Sequence, residues 1–499
     1  MIGCPHCNDK TNCCLQDFTA PTSLSLGEQK NTVKDFESAA FMRFVKDIGL
    51  PQMFSSLTDP RDLSRITYSL NSLCLWAFYT CAFRQGSKNA MQTTIDAMDN
   101  QEAISQLFDV GKEEVPCSTT VDNALARIES GEFNDLLLQL FDRIIERKIS
   151  YNNQEVFLPY GSYQIGVDGF WTHHYNHPHS VNENGENHCP YCLPRVHNRG
   201  KENEFITWTH VMVTFVLICE GITLPLYVYP LKANQIGNSQ SDEKLKEECE
   251  RTAAHAVLPL LRKRYPRLAL TFFGDALYAN KPFIRLCQQL GIDYIIVLKE
   301  GSQKNLLKRC DELAKTEFYQ KHYTAQQMEK QGGHTILRKG AWFNSVEMGD
   351  DIFTNVLRFE ETVVKSDGTT EKMYRGAWIC SKKIFLNNWF KMTKRGRSRW
   401  FQEDMHNTLK NRDFNIEHDM AKANPNLHMV WKMITFIAFF MNELFNATCI
   451  AQKIRKKRSI MKFARDMLQQ FVVLPWKVIS ESPILKRERV QFRFDFGFS

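Results

Sequence analysis

Leu268–Leu298 reads LALTFFGDALYANKPFIRLCQQLGIDYIIVL. Two short apolar runs, Leu268–Gly274 and Tyr294–Leu298, have the length and residue types of buried strands. Between them Lys281–Leu290 reads as a helix. Upstream, Tyr163–Asp168 forms a further short strand. Phe205–Cys219 and Ile222–Tyr229, rich in β-branched and aromatic residues, read as a hairpin. A helix from Ser241 places Leu245, Cys249, Ala253 and Val257 on one face. Its charges run from acidic (Asp242, Glu243) to basic (Arg262, Lys263, Arg264), which matches the helix dipole. Pro259 inside that pattern predicts a kink. The order β-β-β-α-β-α-β describes a mixed α/β sheet.

The flanks differ in character. Residues 1–35 are polar, hold four cysteines and lack periodicity, so they read as a flexible arm. Residues 36–155 follow helical spacing, with Ile66, Leu70, Leu73, Cys74 and Ala77 in one set and Phe133, Leu137, Leu138, Phe141 and Ile144 in another. Residues 156–300 form the first part of the α/β core. Residues 301–390 read as a β-rich insertion, with a tight turn at Asp367-Gly368. Helices return at Arg399–Asn411, Leu427–Ile450 and Ser459–Phe471; residues 391–450 complete the core and 451–499 form a basic helical tail.

Composition narrows the class. The chain has 499 residues, 43% hydrophobic and 24% charged, with a net charge of +7. These values exclude wholesale disorder and a polycationic tail protein. Fifteen cysteines are too sparse for a disulfide scaffold, and their odd number fits reduced thiols in a cytoplasmic protein. The N-terminus lacks the apolar core of a signal peptide. Apolar stretches at His210–Leu231 and Met429–Ile450 are interrupted by Glu220, Gly221 and Pro225 and by Lys432, Asn442, Glu443 and Asn446. Both read as buried core in a soluble protein.

Asp168 and Asp275 each end an apolar strand of the expected sheet, where α/β folds gather ligands. Two such carboxylates can share divalent metals, with a third from a following helix. Arg399, Glu403 and Lys410 fall on one face of a helix, so Glu403 sits between two cations. Glu250 precedes Asp275, and its acidic turn is explained by the dipole. Glu417 lies beyond the helix. Glu403 is the candidate third acid, and an ordinary i,i+4 surface pair with Arg399 is the commoner reading of the same pattern taken alone.

The order Asp168, Asp275, Glu403 resembles the D-D-E triad of insertion-sequence DDE transposases with a ribonuclease-H-like core, a β-rich insertion and a Y-x2-R-x3-E-x6-K signature. Arg399, Glu403 and Lys410 match the last three signature positions; Gly396 stands where the family has Tyr. The run Cys249–Gly301 also resembles that group around its second aspartate. The resemblance implies an enzyme that cleaves transposon ends and transfers strands into target DNA. It implies two Mg²⁺ (or Mn²⁺) ions per site on Asp168, Asp275 and Glu403, a double-stranded DNA substrate, and a homodimer assembled on DNA. Two rival classes are a nuclease of the same fold without strand transfer and a non-catalytic DNA-binding descendant. Some relatives hold a flipped base on an insertion tryptophan, for which Trp342, Trp378 and Trp389 are candidates, each with core packing as its ordinary role.

Two further clusters remain. Cys189-Pro190-Tyr191-Cys192 is a C-x2-C knuckle followed by His197, and His173, His174, His177, His179 and His188 surround it. In a loop at about 170–204 this predicts a structural zinc on Cys189, Cys192 and His197, with His188 among the candidates for the fourth ligand. Cys4 and Cys7 form a second knuckle. Residues 391–412 hold seven basic residues against two acidic ones, and Arg399, Lys410, Arg397 and Lys394 are the expected phosphate contacts. Residues 451–465 hold seven basic residues and no acid. The N-terminal helices are a further candidate for DNA contact.

Overall fold

Ten strands form one mixed sheet, and the parallel part of it lies at the centre. The computed structural model describes residues 36–98, 101–111, 115–147, 150–151, 154–155, 157–219, 221–232, 242–331, 334–365, 369–412, 414–421 and 424–495. The arm at 1–35, with Cys4 and Cys7, and the expected turn at Asp367-Gly368 lie outside them.

A small hairpin, β1 (Ser150–Tyr151) and β2 (Gln154–Glu155), precedes the sheet. The sheet comprises β3 (Tyr163–Tyr175), β4 (Leu193–His197), β5 (Phe205–Cys219), β6 (Ile222–Pro230), β7 (Leu270–Gly274), β8 (Asp293–Val297), β9 (Thr324–Gln331), β10 (His334–Gly349), β11 (Ile352–Val364) and β12 (Thr370–Cys380). Its order is β4-β5-β3-β7-β8-β12-β11-β10-β9, with β6 also pairing β5. β3 is antiparallel to β5 and parallel to β7, and β7 is parallel to β8. The insertion strands β9–β12 form an antiparallel meander that joins the core through β12 on β8.

One expectation needs correcting. β3 does not stop at Asp168 but runs on to Tyr175. Its ladder with β5 continues through Asp168↔Thr214, while its parallel ladder with β7 stops at Gly166↔Phe273. Asp168 and Asp275 each follow that last pair by two residues.

Helices flank the sheet on the N-terminal side of the chain as α1 (Glu37–Ile48), α2 (Leu50–Ser55), α3 (Leu70–Ala82), α4 (Lys88–Asp96), α5 (Glu102–Leu107), α6 (Ser118–Leu125) and α7 (Glu132–Arg147). Within the core come α8 (Asp242–Arg264), which contains Pro259 as a continuous element, and α9 (Lys281–Leu290). Asn280 caps α9 by accepting from Phe283 N, and Gly291 in a left-handed conformation ends it. The insertion opens with two helices that its strand content had hidden, α10 (Lys304–Ala314) and α11 (Glu317–His322). Then follow α12 (Trp389–Arg397), α13 (Trp400–Asn411), α14 (Pro425–Asn446), α15 (Cys449–Arg455) and α16 (Ile460–Val473).

The N-terminal helices do not pack apart from the core. Phe41 meets Phe445 of α14 at 5.0 Å and Trp76 meets Trp431 at 6.4 Å between ring centroids. Asn134 on α7 donates to Val228 O (3.0 Å) and accepts from Val228 N (2.8 Å), completing the edge of β6. α14 is buried along most of its length, which accounts for its apolar sequence. Among the described residues, no helix is long and apolar enough to cross a membrane.

Candidate active site

The carboxylates gather where β7 ends and β3 continues. Asp275 caps a short turn, its Oδ1 accepting from Leu277 N at 2.9 Å. Asp168 is mostly buried, and its Oδ2 lies 3.7 Å from Nδ1 of His406 on α13. The other nitrogen of that ring, Nε2, is 2.9 Å from Thr214 Oγ1, and the ring packs on Phe170 at 4.4 Å. His406 therefore spans from β3 to β5 and fixes α13 over Asp168.

The helix approaches closely because the strand is bare beneath it. A Cβ on Gly166 would lie 2.6 Å from Gln402 Oε1 and 2.5 Å from Ile218 Cδ1. Gln402 is fully buried and donates from Nε2 to Thr214 O (3.0 Å) and Oγ1 (3.1 Å). Gln402 and His406 are four apart and share the face toward the sheet. Glu403, one residue on, is 54% exposed by side chain and ion-paired with Arg399. Glu403 thus lies on the more exposed side of α13, one turn before His406.

Glu250 is a residue that sequence order had set aside. It is 3% exposed on α8, and its Oε1 accepts from Gly169 N at 3.3 Å, directly after Asp168. The Tyr278 hydroxyl donates to Glu250 O at 3.3 Å. Burial, and then the charges of Glu250, Asp275 and Asp168, push that hydroxyl well above the usual phenol range. Glu250, Asp275 and Asp168 thus all act on this one buried phenol. A buried Glu on a helix packed over the first strand's end was the available signal, but its dipole explanation concealed it. Asp168, Asp275 and Glu403 do not come within 4.8 Å of one another as a set among the described residues.

The expected phosphate contacts divide into two kinds. Lys394 is exposed, its ammonium 5.2 Å from the Phe390 ring centre. Arg397 lies over Tyr374 at 4.5 Å and meets Glu361 at 3.3 Å. Lys410 is held more firmly: Nζ donates to Trp171 O (2.8 Å) and pairs with Glu417 (2.8 Å). Arg395, in the same basic run, is 4% exposed and donates to Ser162 Oγ and Thr271 Oγ1, both at 3.0 Å. It braces α12 on the sheet.

The three tryptophans sit in a second apolar core beneath the insertion, with Trp342 and Trp378 each 2% and Trp389 5% exposed. None is presented to a base. A cleft of about 1000 Å³ opens between β8, α10 and the insertion strands, lined by Lys339, Arg358 and Arg375 and by Glu300, Asp311 and Glu360, and none of Asp168, Asp275, Glu250 or Glu403 lines it.

The cysteine knuckle is rebuilt relative to expectation. Cys189 and Cys192 are buried, but His197 bonds Thr207 Oγ1 (2.8 Å) and stacks on Phe205, while His188 is exposed. His179 and His210 come to the thiols instead. Sequence spacing could not find His210, which reaches the knuckle from the far side of a loop along β5. His173 and His174 lie in β3, and their side chains are outside the described residues. Burial depresses the His210 pKa, and it lowers that of His428 to about 3. Burial also opposes charge on His179, yet the Asp419 carboxylate and Cys189 raise it to about 9.

Residues 247–440 match the family model described as "Transposase DDE domain". That span runs from α8 to α14 and contains Asp275, Arg399, Glu403 and Lys410; Asp168 precedes it. No curated protein matches the chain.

Proposed function

We propose that this protein, whose residues 247–440 match the transposase DDE domain family, is a nucleic-acid-processing enzyme that cleaves the ends of its own mobile element and joins them to target DNA. The observation that carries the reading is the register of the sheet: Gly166↔Phe273 is the last parallel pair, Asp168 and Asp275 each follow it by two residues, and His406 of α13 lies 3.7 Å from Asp168. The strand order β6-β5-β3-β7-β8, with two antiparallel pairings followed by two parallel ones, is read as ribonuclease-H-like.

Asp168, Asp275 and Glu403 supply only carboxylate oxygens, a donor set suited to hard divalent cations such as Mg²⁺ or Mn²⁺. Two ions held there would lower the pKa of an attacking water or 3′-hydroxyl and stabilise the leaving oxygen. His406 holds the Asp168 carboxylate in orientation. Glu250 anchors Gly169, the backbone directly after it. Arg399, Lys410, Arg397 and Lys394 lie toward the surface around Glu403, where duplex phosphates would meet them. Two copies assembled on paired ends, one for each end, complete the reading.

A second arrangement, in which Glu250 is the third metal ligand, is favoured by its burial beside Asp168. The test treats both. DNA carrying the element's terminal repeats is incubated with Mg²⁺ and a supercoiled plasmid, and both cleavage and joined product are measured. Wild type should give both. Asp168→Asn, Asp275→Asn and Glu403→Gln should lose activity by a factor on the order of 10³ or more while still binding the ends. Glu250→Gln should retain cleavage. Cleavage without joining would mark a nuclease, and an active Glu403→Gln variant would move the third ligand to Glu250.

A further inference from the structure

Beyond the carboxylates, the densest unexplained chemistry lies where the loop between β3 and β4 folds back on β5. Cys189 Sγ and Cys192 Sγ lie 3.5 and 3.3 Å from the same atom, His210 Nε2. His179, Cys189 and His210 each present a ligand atom within 4.8 Å of the other two. All four side chains are buried: Cys192 and His210 are 0% and 1% exposed, Cys189 2% and His179 7%. The backbone turns accordingly, with His179 N donating to Cys192 Sγ at 3.1 Å and Cys189 N to Asn187 Oδ1 at 2.9 Å.

Such a cluster is poorly satisfied by itself. The imidazoles of His179, His210 and His428 meet at centroid distances of 4.7 to 5.4 Å. His179 Nδ1, His210 Nδ1 and His428 Nε2 are buried with no hydrogen-bond partner. Each such atom carries a desolvation cost. Asp419 meanwhile holds the opposite nitrogens, His428 Nδ1 at 3.0 Å and His179 Nε2 at 3.5 Å. A carboxylate on the outer nitrogen of a histidine is the usual way a metal-binding tautomer is fixed.

We propose that Cys189, Cys192, His179 and His210 bind one structural zinc ion, with Asp419 orienting His179 from behind. Tetrahedral zinc has Zn–S near 2.3 Å and Zn–N near 2.0 Å, which separates neighbouring sulfur and nitrogen ligands by about 3.5 Å. The observed 3.3 and 3.5 Å already match that spacing. His179 Nδ1, freed by the Asp419 contact, is the natural fourth donor. Binding releases the thiol protons, and two thiolates balance the charge of Zn²⁺. The site closes the loop on β5, and Asp419 and His428 extend its hold to the segment between α13 and α14. It would therefore fix the strand that carries Asp168 and the connection that follows Glu403.

The test is metal content and cobalt spectroscopy, neither of which depends on transposition. Purified full-length protein should contain one zinc per chain. After chelation and cobalt loading, it should show the intense visible bands of tetrahedral cobalt and thiolate-to-cobalt charge transfer. Cys189→Ser, Cys192→Ser, His210→Ala and His179→Ala should each lower zinc affinity by at least tenfold; His188→Ala and His197→Ala should leave it unchanged. Asp419→Asn should weaken it about 10–100-fold without changing the cobalt spectrum. Should a histidine variant fail to fold, the cobalt spectrum of wild type alone still reports the two thiolates. A metal-free folded wild type, a cobalt spectrum lacking thiolate charge transfer, or a requirement for His197 or His428 in place of His179 would overturn the proposal.

Discussion

Gly396 and Trp378 claim the same space. A Cβ on residue 396 would lie 2.6 Å from both Cε2 and Nε1 of the Trp378 indole, which is itself 2% exposed. The family signature has a tyrosine at this position, and the insertion's second core leaves no room for one. The departure is thus a consequence of how α12 lies against β12. Gly396→Ala should destabilise the protein by about 1–3 kcal/mol through overpacking, and pairing it with Trp378→Phe should recover part of that loss. Urea unfolding of the two variants decides it; an unchanged midpoint in Gly396→Ala would mean that the indole moves aside freely.

Arg399 and Lys410 should separate in their effects. Arg399 pairs with an exposed Glu403, an interaction of small worth to folding. Lys410 joins the backbone of Trp171 to Glu417 and so links α13 to β3. Arg399→Ala should keep its thermal midpoint while its DNA affinity loses about one unit of salt dependence, as one lost phosphate contact requires. Lys410→Ala should lower the midpoint as well. Calorimetry with binding titrations at three salt concentrations tests both.

His406 is expected to act through Asp168. Its removal in His406→Ala should lower Mn²⁺ affinity and the cleavage rate together, by a factor on the order of 10–100, the range typical of groups that orient metal ligands. His406→Gln, which can still bond Thr214, should restore part of the loss. Equal thermal midpoints across the three proteins, with activity that differs, would assign the effect to positioning.

Lys432 predicts a pH dependence. Burial pushes its pKa down to about 7, against the opposing charges of Asp419 and Glu417. In the unfolded chain the same group titrates near 10.4. Between about pH 7 and pH 10 the unfolded chain therefore holds a proton that the folded chain has released, so stability from this group rises with pH across that window and is lost as pH falls toward 7. Lys432→Met should flatten the rise. Thermal midpoints of both proteins at pH 7 and near pH 10 provide the comparison, and parallel curves would refute it.

The central sheet was legible because its strands are short, apolar and bounded by Gly, Asn and Asp. The helix Lys281–Leu290 has the limits that its cap and final glycine dictate. The length of β3 was not legible. Beyond Asp168 the strand continues through Phe170, Trp171 and Thr172, good strand formers, but the Asp-Gly pair reads as a turn, and the ladder with β5, out to Tyr175↔Trp208, keeps it extended. The helices α10, α11 and α12 were hidden because the surrounding strand signals dominated the reading. Cys189 and Cys192 announced themselves by spacing, whereas His210 and Asp419 are brought to them by the sheet and by the turn after α13. Glu250 shows the opposite failing: a local explanation that sufficed for its charge said nothing about its burial beside Asp168. The helices α1 to α7 follow the period expected for residues 36–155, whereas Ser150–Tyr151 and Gln154–Glu155 at its end form a hairpin instead, and periodicity cannot reveal which partner a helix face will meet.

That partner has a bearing on how the chain comes into being. The helices α1 and α3 are synthesised before the sheet, yet Phe41 and Trp76 meet Phe445 and Trp431, which follow Asp168, Asp275 and Glu403 in the chain. Until α14 appears, Trp76 on α3 lacks Trp431, although Phe41, Phe54 and Phe108 already pack on that helix, and pairing so distant in sequence is slow to form. A ribosome stalled anywhere within the insertion would hold a chain that has neither a closed core nor a complete set of acids. The segment that buries the first helices thus lies after the last of the acids proposed for the site, so a chain shortened before α14 would carry those acids without the packing of Phe41 and Trp76.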